Sequence, residues 1–248
     1  MRTNIFKMVL AMFSMMFVLS ANSRAESPKK DTFQTSAGTL EVFHVGHASL
    51  YFVFNGKVIH VDPFGKMGDY SNMPKADLIL ITHEHGDHLD TETIKLISKD
   101  NTQIIINKAG YDSLQQGRIM KNGDQTTVLD IPIKAVPAYN LVHKRDDGTA
   151  YHPRGRGNGY VLEFGDTSVY IAGDTENIPE MEDLGEIDIA FLPMNLPYTM
   201  SPEMCKKAAL MVEPDILFPY HYKMGETDTG KFSKLMENVS GIEVRFRQ

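Results

Sequence analysis

Three histidines and an aspartate stand within six positions at His83, His85, Asp87 and His88. Imidazole and carboxylate together are the donor types that hold a divalent cation, and a cation lowers the pKa of bound water and polarises a carbonyl or phosphoryl oxygen. The run just before them, Asp77-Leu78-Ile79-Leu80-Ile81, reads as a short buried strand. Two residues apart beyond its end, His83 and His85 project to one side and can reach one ion. Gly86 permits a sharp turn, so Asp87 and His88 can face back and hold a second ion beside the first. Leu89-Asp90-Thr91-Glu92-Thr93-Ile94 then opens a helix, with Asp90 as N-cap and a Leu89/Ile94 staple.

The elements that must position this cluster are strands interleaved with fewer helices. Strands are predicted at 40–45, 50–54, 57–61, 78–82, 103–107, 126–129, 133–138, 159–164, 167–172, 187–192, 215–220 and 242–246, with Asn55-Gly56 as a hairpin turn. Helices are predicted at 91–98, 108–115, 178–183, 202–211 and 230–238. Ser27 to Gln34 is polar and reads as a loose leader. The pattern suggests two sheets flanked by helices. Two further strand ends carry metal-type residues, Gly173-Asp174-Thr175 and Tyr220-His221-Tyr222, so several strand ends can converge on one rim.

The chain has 248 residues. Arg2 and Lys7, the apolar run Met8 to Leu19, and Ser23 and Ala25 before a cleavage point read as a secretory signal peptide over residues 1–25. The remaining residues 26–248 read as one domain, periplasmic or secreted, with no stable membrane anchor after cleavage. Loss of residues 1–25 removes three basic and no acidic side chains and takes the formal charge from −7 to about −10. Such an acidic chain disfavours nucleic acid or an anionic membrane as a general partner, and the metal-type cluster makes a small-molecule substrate the expected one; composition leaves the oligomeric state open. Cys205 is the sole cysteine. No internal disulfide is available, and Cys205 reads as a core residue of the helix begun by Ser201-Pro202-Glu203.

The segment His83-Glu84-His85-Gly86-Asp87-His88, followed by Ala172-Gly173-Asp174-Thr175 and Pro219-Tyr220-His221, resembles the metallo-β-lactamase-fold hydrolases from about Thr39 to the C-terminus. Gly46-His47-Ala48-Ser49-Leu50 through Val61-Asp62-Pro63 is similar to the branch of ascorbate-6-phosphate lactonase-like and N-acylethanolamine phospholipase D-like proteins. The resemblance implies an α/β fold, an αβ/βα four-layer sandwich with its metal site at the rim of two β-sheets. It implies His83 and His85 on a first ion, Asp87, His88 and His221 on a second, and Asp174 bridging both. Asp87 and Asp174 are then the catalytic carboxylates, with a metal-bound hydroxide attacking a small ester, lactone or phosphodiester. A third histidine for the first ion is usual in the family at the end of a strand such as Lys134 to Tyr139. Asn140 stands there, with His143 three residues on, and these two are the candidates to complete the site.

One or two divalent ions are expected; the donor set favours zinc and leaves manganese and iron open. His47 and Asp62 read as supports for ligands or strand ends. His44 and His60 read as packed or solvated strand residues. His152, in the glycine-rich basic loop Tyr151 to Gly159, reads as part of a solvated turn whose cations Arg154 and Arg156, with Lys144 and Arg145, could receive an anionic substrate group. Tyr220, Tyr222 and Lys223 flank His221 and could contact substrate. A β-lactamase, or a non-catalytic metal- or ligand-binding protein on the same scaffold, are the alternative readings.

Overall fold

The computed structural model describes residues 28–247. The predicted signal peptide therefore lies outside the described residues.

Two seven-stranded sheets face each other. The first holds β1 (Lys29–Thr35), β2 (Gly38–Gly46), β3 (Ser49–Phe54), β4 (Lys57–Val61), β5 (Leu78–Leu80), β6 (Gln103–Ile106) and β7 (Arg118–Ile119), in that order. The second holds β8 (Gln125–Val128), β9 (Ile131–Ala138), β10 (Gly157–Phe164), β11 (Thr167–Ile171), β12 (Ile189–Pro193), β13 (Ile216–Tyr220) and β14 (Glu243–Val244), again side by side in sequence order. Each sheet begins with antiparallel hairpins and continues in parallel strands.

The period-two alternation of side chains makes the layers. On β5, Leu78 and Leu80 join the core between the sheets, while Ile79 and Ile81 face α1 (Thr91–Ile97) and α2 (Lys108–Leu114) on the outside. On β12, Ile189 and Phe191 point inward, and Ala190 and Leu192 pack outward with α3 (Pro202–Val212) and α4 (Thr229–Met236). Strands that bury both faces lack polar alternation, which is why the apolar runs are continuous. The result is the expected αβ/βα sandwich.

Two local expectations need correction, and one short strand is new. Residues 29–35 are no leader: β1 pairs with β2 along its whole length, with Asp31 turned inward. Its polarity reflects an edge strand with one wet face. The segment at Pro179–Asp183 is a 3-10 helix rather than an α-helix; Ile178 offers no side-chain cap and the segment is only five residues long. The short strand β7 was not predicted, being two residues that rest on β6. Cys205 is fully buried on α3, as expected, and burial pushes its thiol well above the ordinary range.

Candidate metal centre

Strand direction brings the chemistry together. The loop after β5 carries His83 to His88, the end of β4 carries Asp62, and the β2–β3 turn carries His47. From the second sheet, β11 ends before Asp174, β12 before Asn195 and β13 before His221. The sheets are stitched at this rim by Asn158 N–H donating to Thr82 O (2.9 Å), His221 N–H donating to His47 O (2.8 Å) and the Tyr160 hydroxyl donating to Ile81 O (2.7 Å). Gly173 has φ of +65°, and a Cβ there would sit 2.9 Å from Asn158 O and 3.2 Å from Thr82 Cβ, so only glycine lets β11 turn Asp174 into the cleft. His47, Asp62 and His221 are non-glycine residues with φ of 54°, 44° and 53°, backbone strain collected at the rim.

One carboxylate orients a ring in each cluster. Asp62 can only accept, so His88 Nδ1–H donates to its Oδ2 (2.7 Å), which turns His88 Nε2 into the cleft. The Thr82 hydroxyl also donates to Asp62 Oδ2 (2.6 Å) and accepts from His83 Nδ1–H (3.0 Å), which leaves the His83 Nε2 lone pair facing the same cleft.

Two groups of ligand atoms result. His83, His85 and His152 converge in one; Asp87, His88 and His221 converge with His47 in the other. Asp174 lies between them: Oδ2 is 3.2 Å from His152 Nε2 and 3.9 Å from His83 Nε2, while Oδ1 is 3.2 Å from His221 Nε2 and 3.4 Å from His88 Nε2.

The third imidazole beside His83 and His85 is therefore His152, and the expectation at Asn140 or His143 is corrected. His152 is buried rather than part of a solvated turn, and its Nε2 lies 3.2 Å from His85 Nδ1. Asn140 Oδ1 accepts from both the backbone N–H (2.7 Å) and the ring Nδ1–H (2.8 Å) of His152, so the amide braces that ring. Asn140 Nδ2 donates in turn to Glu176 Oε1 (3.1 Å) and Tyr198 O (2.9 Å). His143 turns away, its Nδ1 lying 2.6 Å from Glu176 Oε1. Glu176 is fully buried and accepts the backbone N–H groups of Leu141, Val142 and His143 at 2.7, 2.6 and 2.7 Å. Burial disfavours its charge, but these donors outweigh that and hold the carboxyl below its ordinary value.

The other candidates fall elsewhere. The Tyr220 hydroxyl accepts from Gly173 N–H (2.9 Å), Tyr222 packs in the outer core, and Lys223 pairs with Glu226 (3.3 Å). His44 and His60 are both buried. His47 Nε2 lies 2.9 Å from Asp87 Oδ2, close enough to belong to the second group rather than merely to support it.

Electrostatics show what the cleft can hold. Burial drives His83 well below its ordinary value and His221 down to about 3, so both carry open lone pairs at neutral pH. Burial acts on His88 in the same sense, but Asp174 and Asp62 outweigh it and push that ring up to about 9. Asp174 Oδ1 is buried with no hydrogen-bond partner, although His88 Nε2 and His221 Nε2 approach each other to 3.0 Å beside it. A buried carboxylate oxygen without a donor is costly, and lone pairs gathered around it fit a cation better than any arrangement of protons.

The fold and site agree with what this chain is similar to. The beta-lactamase superfamily domain matches residues 41–221. A metal-dependent hydrolase of Pyrococcus horikoshii is 32% identical over 224 residues, covering 83% of this chain and 96% of its own length. A crystal structure from Parabacteroides distasonis, of a protein classed as a metal-dependent hydrolase, is 49% identical with a TM-score of 0.83, covering 89% of this chain and 98% of that one. Igni18, a metallo hydrolase from Ignicoccus hospitalis, is 25% identical with a TM-score of 0.69, covering 84% and 94%. With this match over most of its length and the metal-type cluster at the expected rim, the chain belongs to the beta-lactamase superfamily and is a metal-dependent hydrolase.

Proposed function

We propose that the chain is a secreted or periplasmic hydrolase that holds one or two divalent cations, zinc foremost, and cleaves a small ester, lactone or phosphodiester. His83, His85 and His152 would hold the first ion, Asp87, His88 and His221 the second, and Asp174 both. The observation that carries this reading is Asp174, whose two oxygens each face one group of imidazoles. A cation held there would lower the pKa of water and polarise the scissile carbonyl or phosphoryl oxygen.

The chain's own residues supply the rest. Burial works against the Asp87 charge, but the bond from His47 and the neighbouring His88 and His221 hold the carboxyl well below the ordinary range, so it stays anionic. Half-buried and open to the cleft, the Asp87 carboxylate can orient a water by accepting a hydrogen bond from it. Asp174 and the ring tautomers set through Asp62, Thr82 and Asn140 keep the donors preorganised. No serine or cysteine nucleophile is required, and Cys205 is sealed in the core.

The three arginines of the 144–156 loop are engaged: Arg154 with Glu180 (2.6 Å), Arg156 with Glu84 (2.5 Å), and Arg145 over the Tyr151 ring (5.1 Å). A free anion-receiving role therefore has less support than an uncharged substrate body. Export is supported by the composition of residues 1–25, and the acidic charge speaks against nucleic acid as a general partner.

The test is elemental analysis of the mature protein purified without chelator or added metal, followed by turnover of 4-nitrophenyl acetate, a homoserine lactone and bis(4-nitrophenyl) phosphate. Bound metal with turnover of at least one probe, abolished in Asp87→Ala, is the expected result. Bound metal without turnover above that of the free ion would overturn the proposed chemistry.

A further inference from the structure

Among the described residues, seven large apolar side chains are exposed: Leu96, Leu141, Val142, Leu196, Leu210, Tyr198 and Met224. Five of them stand on just three loops, those following β9, β12 and β13. These loops leave the same rim. β9 and β11 both run antiparallel to β10, and β12 and β13 run parallel to β11, so all three loops emerge where Asp174 and His221 do. Direct bonds hold them side by side: Asn140 Nδ2 to Tyr198 O (2.9 Å) joins the first to the second, and Thr227 Oγ1 to Met194 O (3.3 Å) joins the second to the third.

The exposure is built rather than loose. Leu141 and Val142 are anchored by their backbone N–H groups on the buried Glu176 carboxylate, two residues beyond Asp174. Their side chains are thereby held outward. Tyr151 continues the surface into the cleft: its ring meets Tyr198 edge-on at 5.1 Å, and it lines the same cavity as His83, His85, His152 and Asp174. Rigidly presented apolar side chains at the mouth of a polar site are what an apolar ligand group would use, because its burial there releases water from both surfaces.

We propose that Leu141, Val142, Tyr151, Leu196 and Tyr198 form a subsite that seats the apolar arm of the substrate, an acyl, alkyl or aryl group attached next to the bond cleaved at the metal centre. The inference rests on the hydrolase reading above and narrows its substrate class. The occupant is a small molecule because the patch is continuous with the metal-lined cavity and consists of five side chains, against roughly 20–30 residues a side in a standard protein interface.

The experiment is calorimetric titration of the metal-loaded full chain with methylphosphonic acid and n-hexylphosphonic acid, whose shared head group is a metal ligand. A fully buried methylene adds about fourfold to affinity, so even partial cover of the five extra methylenes should make the hexyl compound at least tenfold tighter. Val142→Asp with Leu196→Asp should cut that ratio below threefold, while Leu210→Asp, exposed on α3 away from the rim loops, should preserve it. A wild-type ratio below threefold overturns the subsite. So does a dimer that the double variant converts to monomer with the ratio unchanged, which would assign the face to a second copy. A hexyl preference without turnover of any ester, lactone or phosphodiester would keep the subsite and overturn the hydrolytic reading; turnover without the preference would do the reverse, and neither would overturn both.

Discussion

Asn140 Oδ1 sits 2.8 Å from the His152 ring and 2.7 Å from the His152 amide nitrogen, so the asparagine at the end of β9 acts on the metal centre through the imidazole that it orients. Removing the acceptor frees the ring to rotate and to change tautomer. Losses of supporting bonds of this kind cost roughly 10- to 100-fold in metal affinity. Asn140→Leu should lower the affinity of one ion by about that factor, and Asn140→Asp, which keeps the acceptor, should recover most of it. Competition with a chromophoric chelator measures both; unchanged affinity in Asn140→Leu would show that the brace does not matter.

His152 and His143 separate cleanly by position. His152 points Nε2 at the cluster, and His143 gives its ring to Glu176. His152→Ala should reduce bound metal by up to one equivalent per chain and cut turnover at least a hundredfold, an effect on the scale of losing a catalytic donor. His143→Ala should retain full metal content. Elemental analysis of the two variants decides it, and metal loss in the second rather than the first would reverse the assignment.

His60 predicts how stability responds to acid. It is fully buried, its Nε2–H donates to Pro74 O (3.0 Å), and burial lowers its pKa to about 4 against the weaker opposing pull of that carbonyl. The unfolded chain, titrating near 6.5, then binds more protons than the folded one between these values. Stability from this group is complete above about 6.5 and falls as pH drops towards 4, by about 3 kcal/mol in all. Denaturant unfolding at several pH values in the presence of chelator should show this slope, and His60→Phe should flatten it. A variant with the same slope would exclude His60 as the source.

Asp31 links the first strand to the end of the chain. Its carboxylate faces His44 Nε2 (3.0 Å), Arg247 Nε (2.7 Å) and Arg247 Nη2 (2.8 Å), and Arg245 approaches at 3.4 Å. Arg247 is partly exposed, so the pairing is discounted for solvent screening. Asp31→Ala should still cost about 2 kcal/mol, because it leaves the buried His44 ring unpaired and releases the tail from β1. Urea unfolding measures the loss. A change below about 0.5 kcal/mol would mean that β1 is held by its backbone ladder alone.

What the sequence by itself determined is what short range decides. His83 to His88 are read together because six consecutive residues after a strand cannot separate, and Asp90 caps α1 through Glu92 N–H and Thr93 N–H as the local pattern requires. The apolar runs of β5, β12 and β13 announce strands buried on both faces, and hence two sheets with helices outside them. Asp174 and His221 stand out in the sequence because each comes at or just beyond the end of an apolar strand, β11 and β13.

What the tertiary structure alone decided depends on partners far away in sequence. β1 carries few apolar residues; its register comes from β2, and its inward Asp31 is satisfied by Arg247, 216 residues on. His152 sits in a long polar loop between β9 and β10, with no local signal of direction, and its path is set by Asn140 and, through it, by Glu176 from beyond β11. An edge strand and a loop-borne imidazole share one physical cause: the groups that fix them are brought close only by the closing of the two sheets, and loop composition does not encode where its backbone will be tied.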